Sequence, residues 1–308
     1  MNMITFEQLR VLQAIVTHGT FRAAAKALHK SQPALSAMIR NLEAECGFSL
    51  FSRDTYRPEL TREGRVFYDR AVATLREMGR LNALAGRLSG KEEPEISVAI
   101  NTIYCVRPLL PTLKHIDETY PATRMNVTTE VLGGAIEGLR EGRTDIALTT
   151  DTDFEPTTME LLPFDSVRVI PVARPDFPPA IAGRYNTVDD MRAYVQVLVA
   201  DSSAGERRQS QDVLPEVRHW IVSDVEAKKD IISGGLGWGG LPEYAVQDEL
   251  ASGELVQLHV EGFGIRTSQL YVIRRTDTPI GPVADALWQA LRRLAADQRV
   301  QRDEAPSK

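Results

Sequence analysis

The spacing of apolar and polar residues predicts three helices at the start of the chain. Over residues 6–17 apolar side chains recur at steps of three and four, which is the spacing of a helix with one buried face. Thr20 is a good N-cap for a second, alanine-rich helix over residues 21–28, and Ser31 is a good N-cap for a third that ends near residue 45. This arrangement is typical of a helix-turn-helix, and a three-helix bundle that binds nothing is the alternative.

The next segment, residues 61–89, contains no proline and predicts a single long helix. Its small or apolar residues follow alternating steps of three and four, at Gly64, Phe67, Ala71, Thr74, Met78, Leu81, Ala85 and Leu88. This heptad seam would run along a rod of about 43 Å. We expect the seam to pair with a second copy, and packing against the chain's own body is the alternative. A short hinge is expected over residues 90–94.

From residue 95 onward, strand patterns alternate with helix patterns, which predicts a mostly parallel α/β sheet. The first set has strands at 95–100, 125–130 and 145–148 and helices at 106–119 and 135–141. The second set has strands at 167–172, 195–199, 217–222 and 254–260 and helices at 188–192 and 225–232. A strand at 269–273 and a helix at 282–296 follow. In such units ligands bind at the carboxyl ends of the strands.

Charge and composition divide the chain into two parts. The net charge of −6 argues against a nucleic-acid partner, but residues 1–90 hold 13 Lys and Arg against 8 Asp and Glu. The remainder holds 23 against 34, so a basic head precedes an acidic body. Two cysteines exclude a disulfide-rich scaffold, the histidines lack metal-site spacing, and no catalytic motif is present. We therefore expect a cytoplasmic protein that is not an enzyme, with no metal, cofactor or membrane association.

The third helix and the loop after residue 49 hold the candidate DNA-binding residues. A long polar side chain such as Gln32 can reach base edges in the major groove, whereas arginines in a wing over residues 50–61 would contact phosphates. The candidates are Ser31, Gln32, Pro33, Ala34, Ser36, Arg40, Arg53, Tyr56 and Arg57.

An ordered series of motifs in this region resembles the N-terminal domain of LysR-type transcriptional regulators. The series is Phe21-Arg22-Ala23-Ala24-Ala25-Lys26-Ala27-Leu28, Ser31-Gln32-Pro33-Ala34-Leu35-Ser36, Leu42-Glu43, Gly47, Leu50-Phe51, Arg53 and Leu60-Thr61-Arg62-Glu63-Gly64. Cys46 stands where the family usually has an aliphatic residue, which we interpret as a packing difference. Ala37 and Met38 replace a polar or basic pair that is common there, which could alter operator preference.

The resemblance implies an α/β protein in three parts. These are a winged helix-turn-helix in residues 1–60, a dimerising linker helix in residues 61–90 and an effector-binding domain in residues 91–308. The last would be of periplasmic-binding-protein type, with lobe one at about 91–162 and 269–308 and lobe two at about 163–268. A regulator of this kind would bind an interrupted palindrome in promoter DNA as a dimer or tetramer. It would respond to a small-molecule effector, with RNA polymerase as a further partner.

Polar residues at the predicted strand ends are the effector-binding candidates. Hydroxyls and helix N-termini suit a small organic anion, and Trp238 could stack on an aromatic one. The candidates are Asn101, Thr102, Tyr104, Thr149, Thr150, Ser202, Ser203, Asp224 and Trp238. A cap, turn or core role is the alternative for each, and no effector or a redox signal is the alternative for the effector step. For the whole chain the alternative is a cytosolic small-molecule binding or enzymatic α/β protein.

Overall fold

The computed structural model describes residues 4–52, 58–89, 91–151, 153–181, 185–204 and 213–304. The chain divides into two compact units, Met1–Ala85 and Gly86–Lys308. Within the described ranges no helix is long and apolar enough to cross a membrane. No cluster of three or more His, Cys, Asp or Glu side chains in the same ranges could hold a metal ion.

The described part of the first unit is helical, its last helix continues past Ala85, and the N-caps of its second and third helices are those that the sequence predicts. The helices are α1 (Phe6–His18), α2 (Phe21–Ala27), α3 (Gln32–Cys46) and α4 (Arg62–Leu88). The hydroxyl of Thr20 accepts a hydrogen bond from the N–H of Ala23, and that of Ser31 accepts one from Ala34. Phe6 remains 39% exposed although the apolar spacing assigns it to the buried face. The apolar spacing predicts the direction in which Phe6 points. It does not predict whether a neighbouring helix extends far enough to cover it.

A short antiparallel contact joins the end of α3 to the start of α4. Phe51 pairs with Leu60, and the carboxylate of Glu43 accepts hydrogen bonds from the N–H of Leu50 at 2.7 Å and of Phe51 at 3.3 Å. On α4, a Cβ at Gly64 would overlap the carbonyl oxygen of Leu50. This glycine therefore lets the helix pass directly over the base of the predicted wing.

The seam along α4 changes character near its middle. The seam residue Ala71 is buried in the core of the first unit with residues of α1 and α3, and so is Leu75, which lies beside the seam, whereas the seam residue Thr74 is exposed. Further along, Met78 is 38% exposed and Leu81 is 58% exposed. The first half of the helix therefore packs on the other helices of the head, whereas Met78 and Leu81 in the second half are exposed to solvent.

The second unit alternates strands and helices. In chain order these are β1 (Glu95–Asn101), a 3₁₀ turn (Arg107–Leu109), α5 (Leu110–Thr119), β2 (Arg124–Glu130), α6 (Gly134–Arg140), β3 (Ile146–Thr149), β4 (Met159–Ala173), α7 (Pro178–Ile181), α8 (Val188–Met191), β5 (Val195–Val199), β6 (Arg218–Val222), α9 (Val225–Ser233), β7 (Gly239–Pro242), α10 (Glu243–Ser252), β8 (Val256–Gln257), β9 (Arg266–Arg275) and α11 (Pro282–Glu304). The main sheet has the order β2-β1-β3-β9-β4-β7 with β8 beside β4, and β5 pairs with β6.

Two lobes share the strands β4 and β9. Lobe one contains β1–β3, α5, α6 and α11, and its core includes Ile96, Leu148 and Leu287. Lobe two contains β5–β8 and α7–α10, and its core includes Val197 and Leu241. β4 and β9 run antiparallel to each other through both lobes. The boundaries predicted for the lobes, at residues 163 and 268, stay a prediction.

The sheet is mixed, which corrects the expectation of a mostly parallel one. β1 is parallel to β2 and β3, and β5 is parallel to β6. β9 is antiparallel to β3 and β4, and β7 and β8 are antiparallel to β4. The strands β4 and β9 cause this difference, because every antiparallel pair named here includes one of them. They cross between the lobes and are not joined to their neighbours by βα units. The strand expected at 254–260 is reduced to the two residues of β8.

Candidate DNA-contacting and effector-binding sites

The start of α3 presents the predicted DNA-contacting residues on one side. Gln32, Pro33 and Arg40 are exposed, whereas Leu35 and Ile39 are buried on the opposite side of the helix. The remaining candidates divide into Ser31, which is exposed at the cap, and Ala34 and Ser36, which are half-buried. Arg53, Tyr56 and Arg57 lie outside the described residues. Among these candidates, Gln32 and Arg40 thus face outward from the helix.

A narrow pocket lies between the two lobes. It is lined by Asn101, Thr102, Ile103, Val131, Leu132, Thr150, Val169, Leu198, Val199, Val225, Lys228, Gly240, Pro242, Phe263 and Arg266. Its volume is ≈ 70 Å³. That is room for several waters or a few heavy atoms of a ligand.

Two cations face this pocket. Lys228, one turn into α9, is only 8% exposed, and Arg266 donates a hydrogen bond to the hydroxyl of Ser268. A Cβ at Gly239 would lie 2.9 Å from Cε of Lys228, so the glycine leaves room for the lysine side chain. None of the described lining residues is acidic. Lys228 and Arg266 therefore contribute positive charge to the pocket wall.

The structure brings three of the predicted effector-binding residues to the pocket, namely Asn101, Thr102 and Thr150. The side chain of Asn101 accepts a hydrogen bond from the N–H of Ile103 and donates one to the hydroxyl of Thr149, both at 3.1 Å. Thr149 is completely buried beneath it. Thr149 therefore orients Asn101 and does not itself line the pocket.

Tyr104 and Trp238 are core residues and do not line the pocket. Tyr104 is 6% exposed and packs edge-on against Phe164 in the core of lobe one. Trp238 is completely buried and packs edge-on against Phe263, with 5.0 Å between ring centroids. The aromatic ring that reaches the pocket is therefore Phe263, and Trp238 supports it from behind.

The other three predicted residues hold the backbone near the pocket. Asp224 caps α9 by accepting a hydrogen bond from the N–H of Ala227 at 2.8 Å, and this bond and that from Ser223 lower the pKa of its carboxyl group. Ser202 bonds to lobe one, and the N–H of Ser203 donates to the carboxylate of Asp201. These residues shape the pocket without lining it.

Sequence reasoning missed Lys228, Arg266 and Phe263. Lys228 lies three residues after Val225 and four before Ile232, both buried, so it is a charge on the inward stripe of α9. Arg266 has the same strand parity as the buried residues Ser268 and Leu270 on β9. A charge at a core-facing position was the available signal for both cations. Phe263 lies outside the periodic elements, so the sequence held no such signal for it.

Comparisons with known proteins show the family of the chain. Residues 6–65 match the family of bacterial regulatory helix-turn-helix proteins called the lysR family. Residues 89–296, more than half of the chain, match the LysR substrate binding domain. The chain belongs to the LysR family of transcriptional regulators. Its first unit thus carries the DNA-binding helix-turn-helix of this LysR-type regulator, and its second unit is the effector-binding domain.

Individual LysR-type relatives support the same assignment. A probable hydrogen peroxide-inducible genes activator of Streptomyces viridosporus is 31% identical over 261 residues, which cover 81% of each chain. The RuBisCO operon transcriptional regulator of Allochromatium vinosum is 29% identical over 292 residues, which cover 92% of this chain and 94% of that protein.

Solved LysR-type structures share the fold along almost the whole chain. CbnR in complex with its target DNA has a TM-score of 0.58 and 21% identity, and the match covers 95% of this chain and 100% of that chain. A full-length OxyR from Pseudomonas aeruginosa has a TM-score of 0.56 and 20% identity, with 95% and 96% covered. At such identities the likeness shows the fold alone.

Proposed function

We propose that this LysR-type regulator reads promoter DNA with α3 and senses a small organic anion in the pocket between its lobes. The observation that carries the effector assignment is that two cations, Lys228 and Arg266, line the same pocket, and that the described lining contains no carboxylate. A guanidinium and an ammonium together favour a carboxylate or phosphate, through charge-assisted hydrogen bonds. Asn101 and Thr102 add polar contacts, and Phe263 offers an apolar wall. An organic acid with a short apolar body fits this lining.

A redox signal is the competing proposal for the effector step, and the cysteines argue against it. Cys46 and Cys105 are both free and lie in different units. Burial raises the pKa of the Cys46 thiol, which lowers the fraction of reactive thiolate. A half-buried thiol of this kind suits packing better than peroxide sensing.

Self-association is part of the proposal. The exposed second half of the α4 seam, with Met78 and Leu81, would be covered in a dimer of linker helices. On the effector-binding domain the strand β6 carries Trp220 at 41% exposure and Ile221 at 69%. Apolar side chains on an exposed strand favour a second contact and thus a tetramer. The proposal includes three domains that meet near residues 60 and 90. It also includes a cytoplasmic location and contact with RNA polymerase.

The anion assignment predicts a clear selectivity in a thermal-shift screen of the full chain. Acetate, succinate and benzoate would be compared with their neutral amides at equal concentration, since a ligand that binds the native state raises its apparent stability by mass action. The panel is then widened to further small carboxylates, each with its amide. We expect at least one acid in this panel to raise the Tm while its amide does not. Equal shifts for every acid and its amide would contradict the charge-based assignment.

The DNA assignment predicts different roles for two exposed residues of α3. In Gln32→Ala we expect the preference for one base pair to relax by about 1–3 kcal/mol, because the side chain is placed to reach a base edge. In Arg40→Ala we expect binding to weaken on all sequences alike, with a shallower salt dependence. Selection from a random DNA pool, followed by footprinting, measures both effects. Native protein should protect two half-sites, and identical behaviour of the variants would refute the division of roles.

A further inference from the structure

A set of hydrogen bonds joins the two lobes at the edge of the pocket. The N–H of Ser202 donates to the carbonyl of Val131, and its hydroxyl accepts from the N–H of Val131 at 2.9 Å. The same hydroxyl donates to Oε2 of Glu130 at 2.6 Å. Beside it, the N–H of Ala204 donates to both carboxylate oxygens of Glu137, at 2.9 and 3.2 Å. We call these five residues the interlobe clasp.

The clasp is continuous with the pocket wall on both sides. In lobe one, Val131 and the following Leu132 line the pocket, and in lobe two Leu198 and Val199 line it shortly before Ser202. Opening of the clasp would therefore separate two walls of the pocket. The bonds use only groups of the protein itself, so they contribute to closure whichever ligand the pocket takes.

The loop of lobe one is built to accept the clasp. Leu132 has φ 50°, a left-handed conformation that is unfavourable for a residue with a side chain. At Gly134 a Cβ would overlap the hydroxyl of Ser202 and would approach Oε2 of Glu130 to 2.6 Å. The loop thus holds one strained residue and one glycine, which let its backbone meet Ser202 at hydrogen-bond distance.

We propose that the interlobe clasp is a latch that controls access to the anion pocket. This inference rests on the proposed function, because it assumes that the effector uses this pocket. The pocket lies between the lobes and has a volume of only ≈ 70 Å³, so an organic acid larger than this space needs the lobes to separate. The free energy of opening the clasp then sets how readily the effector enters and leaves. A ligand that fits only the closed arrangement favours closure, as the clasp does, whereas a larger ligand favours opening.

Lys228 reports opening without any effector. It is 8% exposed, and lobe one faces it across the pocket with Asn101 and Thr102, so separation of the lobes uncovers it. Lys114, on α5 of lobe one, has a side chain 75% exposed and serves as the reference. The ratio of acylation rates at Lys228 and Lys114 therefore measures the open fraction within one molecule.

The test is acylation of the full chain with an N-hydroxysuccinimide acetate ester, followed by site-resolved mass spectrometry. Ser202→Ala removes the hydroxyl of the clasp, and Gly134→Ala inserts a methyl group into it. Ser252→Ala and Gly79→Ala are the matched controls. The hydroxyl of Ser252 donates to the carbonyl of Glu249 and accepts from the N–H of Glu254 at the end of α10, and a Cβ at Gly79 meets nothing within 4 Å. We expect the Lys228-to-Lys114 ratio to rise by about three- to tenfold in each clasp variant and to stay native in both controls.

Hydrogen exchange of the Val131 amide in the same samples shows whether the bond is lost, and urea midpoints show whether the fold is retained. A native acylation ratio with a rapidly exchanging Val131 amide would overturn the latch, because the bonds would then be lost without opening. If Ser202→Ala proves unstable, Gly134→Ala decides the question alone. The readout needs no effector, so a failed carboxylate screen and a failed latch are separate results.

Discussion

The Lys228→Met variant of the full chain is expected to bind the acid identified in the thermal-shift screen at least about 30-fold more weakly than the native chain. Lys228 is one of two cations in the pocket, and its side chain is almost completely buried. An anion that loses one buried charged partner forfeits a charge-assisted hydrogen bond and the local positive potential. Methionine keeps an unbranched apolar stem in the place of the lysine side chain.

The neighbouring lysine is the matched control for this variant. Lys229 donates to the carbonyl oxygen of Ala245 at 2.7 Å and pairs with Glu249, away from the pocket lining. Its hydrogen bond lowers the pKa of the Glu249 carboxyl, so this pair stabilises lobe two above the unfolded pKa and the effect is lost as pH falls. We expect Lys229→Met to lower the Tm slightly while anion affinity stays native. Isothermal titration with the same acid would refute the pocket assignment if both variants bound equally well.

The head could be predicted from the sequence because its determinants are local. Thr20 and Ser31 cap the helices that follow them, and each cap depends on a hydroxyl and an N–H three residues apart. Buried positions such as Leu35 and Leu42 follow from helical spacing. The wing is different, since its candidates Arg53, Tyr56 and Arg57 lie outside the described residues and their role stays a prediction.

The pocket was predictable only in part, because its lining comes from distant segments. Asn101 ends a strand that the sequence reveals, and the rule that ligands bind at strand ends places it near the ligand. Arg266 reaches the same pocket only because β9 crosses between the lobes.

The strand β7 was not predicted for another reason, because its glycines give no alternation of apolar and polar residues. At Gly239 a Cβ would lie 2.8 Å from the carbonyl oxygen of Val197, so close packing of the backbone selects this residue.

The expected hinge over residues 90–94 contains a fixed point that the sequence did not reveal. Glu93 is only 7% exposed, and its carboxylate accepts hydrogen bonds from the N–H of Val283 at 2.9 Å and of Ala284 at 3.2 Å. These two groups belong to the first turn of α11, so a residue 190 positions earlier caps this helix. A Cβ at Gly281 would overlap the carboxylate, which explains the glycine before the helix. The chain that leaves the linker is thus fastened to the last helix of the effector-binding domain.

Removal of this cap should destabilise the effector-binding domain strongly. In Glu93→Ala two buried N–H groups at a helix N-terminus lose a charged acceptor, and we expect the free energy of unfolding of the second unit to fall by about 2–3 kcal/mol. Urea unfolding followed by tryptophan fluorescence isolates that unit, because Trp220, Trp238 and Trp288 all lie within it.

Two further variants separate the cap from a general loss of charge. Glu92 is exposed beside Glu93, so Glu92→Ala should change the free energy of unfolding by less than about 0.5 kcal/mol. Glu93→Gln keeps one acceptor oxygen and should fall between Glu93→Ala and the native chain. The order native, Gln, Ala follows from the number and charge of the acceptors that face α11. Equal stabilities of Glu92→Ala and Glu93→Ala would instead mean that α11 begins without this carboxylate, and that residues 90–94 act as the free hinge that their composition suggests.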